Sequence, residues 1–133
     1  MKDIAAILHD DGSTVAVVGA TDNPAKYGSV IYRDLKRKGF DVYPINPNRS
    51  TVDGDTAYPD LASLPVTPTI VNIVVPADET LRVLEEAKRL GIENVWVQPG
   101  AESPAVLRYL QEEGFNYLAN SCIMVRSRLK TSR

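Results

Sequence analysis

The sequence predicts an α/β domain: a doubly wound parallel sheet of five to six strands, in three layers, with helices on both faces. Three observations predict it. Short apolar, β-branched runs recur along the chain, amphipathic segments of helical period lie between them, and glycine closes most of those segments. Strands alternating with helices imply right-handed crossovers and a parallel sheet covered on both sides. The apolar character of the runs agrees with that burial.

The elements follow in order. Residues 1–9 contain Asp3 and no long apolar stretch, so they read as a short helix and not as a signal peptide. Residues 14–18 are a buried strand ended by Gly19. Residues 26–38 place Val30, Ile31 and Leu35 among charges and stop at Gly39 after a basic last turn, the pattern of an amphipathic helix. Residues 40–45 form a second strand, closed by Asn46-Pro47, and residues 48–55 form a polar loop containing Gly54. Residues 56–58 suggest a very short strand, followed by one helical turn near residues 60–64. Residues 69–75 are the strongest strand, ended by Pro76. Residues 77–90 carry Leu81, Leu84, Ala87 and Leu90 on one helical face and stop at Gly91. Residues 93–97 are a strand ended by Gln98-Pro99-Gly100. Ser103 caps a helix with Pro104 at its first position, running to Glu113 before Gly114. Residues 115–119 are the last strand and residues 120–129 a short closing segment. The four basic residues Arg126, Arg128, Lys130 and Arg133 make a tail expected to fray.

Composition narrows the function. The 133 residues are one domain's length, residues 1–133, and 15 Lys+Arg against 17 Asp+Glu give a net charge of −2. That balance argues against a general nucleic-acid binder. With 44% hydrophobic and 24% charged residues, wholesale disorder is excluded. One cysteine (Cys122) and one histidine (His9) form neither an intrachain disulfide nor a Cys/His zinc cluster, so no metal is expected and a cytoplasmic setting is. No apolar run approaches the ~20 residues of a membrane helix, so no membrane partner is expected.

Doubly wound sheets bind ligands beyond the carboxyl ends of their strands, at the switch point. The segments after the strands are therefore the candidate site. Residues 19–28, GATDNPAKYG, stand where a phosphate turn belongs. Gly19 allows the tight turn. The amides of Ala20 and Thr21, with the following helix N-terminus, suit a pyrophosphate. The Thr21 hydroxyl and the Lys26 ammonium add a donor and a charge, and Gly28 allows close helix–strand packing. Neither G-x-G-x-x-G nor G-x-x-x-x-G-K-S/T is present, and a plain turn around Pro24 is the alternative.

After the second strand come Asn46, Pro47, Asn48 and Arg49. An NAD site wants an acid there for the ribose; none is present. Arg49 suits a phosphate on the adenosine ribose, as NADP and coenzyme A carry, unless it is simply a solvated loop arginine. Val75-Pro76 and Gln98-Pro99 offer apolar surface and amides suited to adenine or a pantetheine arm, or are merely strand-ending prolines.

Candidate catalytic groups are few. His9 reads as a helix-surface residue, and Asp22 as a turn aspartate bonded to its own backbone. Asp78 and Glu79 complement a helix dipole, Trp96 belongs to the core, and Cys122 reads as a buried thiol. A mixed disulfide with a thiol cofactor follows only if Cys122 reaches the ligand. No serine sits in a G-x-S-x-G elbow.

Residues 19–28, GFDVYPINP at 39–47, YPDL at 58–61, Val75-Pro76, WVQPG at 96–100 and Cys122-Ile123 together resemble the small stand-alone coenzyme A-binding proteins. The same pattern is similar to the coenzyme A-binding domain of the succinate–CoA ligase alpha subunit and of ADP-forming acyl-CoA synthetases. The resemblance covers about residues 14–125. It implies a Rossmann-like domain of strand order 3-2-1-4-5-6 that binds coenzyme A or acyl-CoA. It places Ala20, Thr21 and Lys26 at the pyrophosphate and Asn46 to Arg49 at the ribose phosphate, with Arg49 at the position of the ligases' coenzyme-binding lysine. Gly19, Tyr27 and Gly28 belong to the same turn, and Val75, Pro76 and Gln98 line the opposite wall.

Two departures stand out. Those ligases use a phosphohistidine in a second domain that this chain does not include, so no catalytic group of its own is expected. The stand-alone proteins often carry a basic residue before the cysteine; here it is Ser121. The leading expectation is a coenzyme A-binding protein. The alternatives are a detached subunit serving an acyl-CoA synthetase partner chain and an NADP-dependent oxidoreductase, whose only candidate proton donor near a strand end is Tyr27. A homo-oligomer stays open.

Overall fold

Five parallel strands form the central sheet, in the order β2 (Asp41–Ile45), β1 (Thr14–Val18), β5 (Ile70–Ile73), β6 (Asn94–Val97) and β7 (Asn116–Ala119). Two short strands, β3 (Thr51–Val52) and β4 (Asp55–Thr56), pair separately as an antiparallel ribbon. The computed structural model describes residues 2–130.

Helices cover both faces. On one, α1 (Ile4–Leu8), α2 (Tyr27–Arg37) and α5 (Ile123–Arg126) place Ile4, Leu8, Ile31, Tyr32, Leu35 and Ile123 against Val15, Val17, Ile70 and Trp96. On the other, α3 (Ala77–Arg89) and α4 (Pro104–Glu112) place Leu84, Ala87, Val106 and Leu110 against Ala16, Val71, Ile73 and Val95. Successive strand residues serve opposite layers, which is why the strands are apolar on both faces. Trp96 is fully buried and its indole N–H donates to the Ser121 carbonyl at 2.8 Å.

The doubly wound sheet is thus present, and the chain reverses direction across it between β1 and β5. The outermost strand of the expected 3-2-1-4-5-6 order is reduced to a single parallel bridge, Ile45 to Tyr58. Tyr58 N–H donates to Pro44 O, and Asn46 N–H donates to Tyr58 O. Pro59, lacking an N–H, then ends the ladder.

Three other expectations change. Residues 48–55 are not all loop, because Asp53 (φ 51°) and Gly54 (φ 80°) form a tight turn that pairs β3 with β4. Val30 and Leu90 are each 40% exposed, and Tyr32 and Thr80 are buried in their helices instead. The closing segment is strapped down as far as residue 130: Lys130 N–H donates to Lys38 O at 2.8 Å, and the Lys38 ammonium donates to Met124 O and Ser127 Oγ. The expected fraying of residues 131–133 lies outside the described residues.

Candidate functional site

A cleft of ≈ 1080 Å³ opens over the carboxyl ends of the strands at the switch point. Its geometry begins with Gly19, whose φ of +104° an L side chain rarely adopts. A Cβ there would also stand 3.0 Å from Val74 Cγ1 and 3.1 Å from Val75 Cγ1. Gly19 N–H donates to Ile45 O at 3.1 Å, so the turn is tied to the end of β2. Thr21 Oγ1 accepts from Asn23 N–H, and Asn23 Oδ1 accepts from Ala25 N–H, folding the turn into the start of α2.

The N-terminus of α2 is built unusually. Its N-cap is Lys26, which makes no side-chain cap, and its first turn holds no acidic residue. Main-chain N–H groups therefore stand open beside an ammonium, at the positive end of a helix dipole. A cation is disfavoured there unless an anion occupies the site. Gly28 lets this helix end touch the turn, since a Cβ on it would overlap the Gly19 carbonyl.

Asn46 organises the opposite lip. Its Nδ2 donates to Ala20 O at 2.9 Å, and its Oδ1 accepts from Asn48 N–H at 2.8 Å. Arg49, just beyond, lies 3.8 Å from Asp22 Oδ2. Asp22 Oδ1 accepts from Asp53 N–H at 2.7 Å, so Asp22 bonds the β3–β4 ribbon rather than its own backbone. The ribbon is anchored in turn by Asp55, which accepts from Tyr32 OH at 2.6 Å and pairs with Lys36 at 2.9 Å. The Tyr32 hydroxyl bond, then Lys36, hold the Asp55 carboxyl below its usual range. Burial, then Asp55, push the Tyr32 phenol up.

Of the residues singled out in the sequence, Gly19, Thr21, Lys26, Tyr27, Gly28, Asn46, Pro47, Asn48, Arg49, Val75 and Pro76 all line this one cleft. Ala20 and Gln98 do not. Ala20 is fully buried. Gln98 turns into the layer of α5, where its amide donates to Cys122 Sγ at 3.3 Å and accepts from Ile123 N–H at 2.9 Å. Pro99, Gly100 and Ala101 take its place at the cleft. Sequence reasoning missed a second arm of the cleft, formed by Pro59, Asp60 and Leu61 with Glu79, Arg82, Val83 and Glu86 of α3.

The remaining candidates lie elsewhere. Cys122 is half-buried beside Gln98 and does not line the cleft. His9 Nε2 accepts from Arg128 N–H at 3.1 Å, so its Nδ1 donates to Ala5 O, and the ring packs edge-on against Phe40. Among the described residues no group of three His, Cys, Asp or Glu side chains is placed to hold a metal ion. No helix among them is long and apolar enough to cross a membrane.

Sheet order and cleft define a Rossmann-like α/β domain with a cleft at its switch point. More narrowly, the chain belongs to the CoA binding domain family, whose model matches residues 13–128. It is similar to a conserved hypothetical protein from Pyrococcus furiosus, with a TM-score of 0.83 and 42% identity, covering 86% of this chain and 99% of that one. It is 30% identical over 109 residues to the ADP-forming acetate–CoA ligase I of Archaeoglobus fulgidus, matching 77% of this chain and 16% of the ligase. It is 33% identical over 82 residues to the ADP-forming acetate–CoA ligase II subunit alpha of Pyrococcus furiosus, matching 61% of this chain and 18% of that subunit. The chain therefore spans only a small part of the length of both ligase chains.

Proposed function

We propose that this chain binds coenzyme A or acyl-coenzyme A across the switch point, without a catalytic group of its own. One observation carries the reading. Lys26, at an uncapped helix N-terminus, and Arg49, at the end of β2, stand at the same cleft in a chain of the CoA binding domain family. In this reading the Gly19–Thr21 turn, Lys26 and the first turn of α2, with Tyr27 and Gly28, meet the pyrophosphate. Asn46, Pro47, Asn48 and Arg49 meet the ribose phosphate. Val75 and Pro76, with Pro99 and Gly100, wall the pantetheine arm. Titration calorimetry tests it: heat of binding is expected for coenzyme A, and none at millimolar ligand overturns the proposal.

A second reading has its own support, the similarity to a ligase subunit alpha. The chain would then supply the coenzyme site to a partner chain that holds the nucleotide and phosphohistidine chemistry. Co-purification with such a chain is the expected result, and its absence in pull-downs from the native host removes this reading.

A further inference from the structure

The closing segment after α5 is fastened on two sides. On the α2 side, Lys130 N–H donates to Lys38 O at 2.8 Å. The Lys38 ammonium, paired with Asp34 at 2.8 Å, donates to Met124 O and Ser127 Oγ. On the α1 side, the Lys130 ammonium donates to Asp10 O at 3.2 Å, and the Arg128 N–H donates to His9 Nε2 at 3.1 Å.

The His9 fastening admits one protonation state. A main-chain N–H can only donate, so Nε2 is the bare nitrogen. A carbonyl can only accept, so Nδ1, 2.7 Å from Ala5 O, carries the proton. Both bonds select the same neutral ring. Imidazole is also the side chain whose charge changes between about pH 5 and 8. A proton added at Nε2 sets N–H against N–H, two donors with no acceptor between them. The Nδ1 bond survives, so the ring stays on α1 while the strap loses its hold.

The surrounding charges offer the imidazolium no replacement. His9 pairs with no carboxylate among the described residues. Asp10 is taken by Lys2 at 2.7 Å, and Asp11 and Asp41 are exposed. The closing segment brings Arg128 and Lys130 and the end of α2 brings Lys38, all cations. Phe40 is packed beneath this fastening. Its ring meets His9 edge-on at 5.5 Å and the Lys130 ammonium at 5.6 Å, and it is 4% exposed.

We infer that His9 is a proton-operated latch: neutral, it holds the closing segment on α1 at Arg128; protonated, it lets that segment go and loosens the cover of Phe40. The inference stands apart from the coenzyme reading, and neither depends on the other.

NMR on the full chain between about pH 8 and 5 tests it, a window in which the carboxylates stay ionised. The His9 ring nitrogens are expected to show the Nδ1–H tautomer at the alkaline end. Protection of the Arg128 amide against hydrogen exchange, corrected for the intrinsic rate at each pH, should fall about tenfold, the worth of one hydrogen bond. That fall should follow the titration of the ring, with the Phe40 ring signals shifting in step. His9→Ala should leave the Arg128 amide poorly protected at every pH, without an acid step. An Nε2–H tautomer at pH 8, or an Arg128 amide already unprotected there, overturns the latch. So does protection that ignores the ring's titration. An acid step that persists in His9→Ala also overturns it, by assigning the response to another group.

Discussion

A Cβ on Gly28 would overlap the carbonyl oxygen of Gly19, so the first turn of α2 rests directly on the glycine turn after β1. The obstacle is main chain, which cannot swing aside as a flexible side chain does. Gly28→Ala is expected to push the helix end away from the turn. Stability should fall by about 1–3 kcal/mol, the usual cost of overpacking, and coenzyme A binding should fall with it. Thermal denaturation and calorimetry on the one variant check both. Wild-type values in both would show that the close approach is dispensable.

Arg49 is the predicted reader of the ribose phosphate. Arg49→Ala should weaken coenzyme A more than dephospho-coenzyme A, by about 1.5–3 kcal/mol for a charged hydrogen bond. Parallel titrations of the two ligands measure the difference. Equal losses would move the phosphate contact elsewhere. The Asp22 carboxylate, 3.8 Å away, neutralises part of this charge in the free protein.

The Tyr32–Asp55 bond gives the fold a pH signature. Asp55 is lowered in the fold, so its stabilisation is present above the ordinary carboxylate value of about 4 and fades as the pH falls through the lower folded value. Tyr32 is raised, so its stabilisation is present below about 10 and fades as the pH rises beyond. Tyr32→Phe should cost about 1.5 kcal/mol at neutral pH, the low end for a bond to a partly solvated charge. It should also flatten both the acid and the alkaline limbs. Urea denaturation across the pH range reads all three; unchanged limbs would assign the pH dependence to other groups.

Ser103 caps α4 as its sequence implies, its Oγ accepting from Val106 N–H at 3.1 Å ahead of Pro104. Ser103→Ala is expected to lower stability by about 1 kcal/mol, and Ser103→Asp to restore most of it. Chemical denaturation measures both. An alanine variant as stable as the wild type would mean that solvent caps the helix equally well.

That cap was legible because a serine–proline pair has one strong local reading. The long strands and helices were legible for the same reason, each repeating its period several times. The β3–β4 ribbon was not: two-residue strands carry no period, and only Asp53-Gly54 signalled the turn. The strand-end position of Gln98 predicts a wall residue, yet Gln98 shares the face of Trp96 two residues earlier and so points into the α5 layer. Glu79 and Arg82 look like ordinary surface charges along α3. Only the packing of residues 59–61 against that helix makes them the lining of a cleft.

The two described ends of the chain meet the same edge of the molecule. Asn116, at the start of β7, donates to Lys2 O; Arg128 N–H bonds His9, and Lys130 bonds Lys38 O and Asp10 O, below the amino ends of the strands. The cleft opens at the other end. A label attached at residue 2 or residue 130 would thus leave from the floor and keep the mouth clear. Surface-based binding assays on this protein can therefore be oriented by attachment at those two positions.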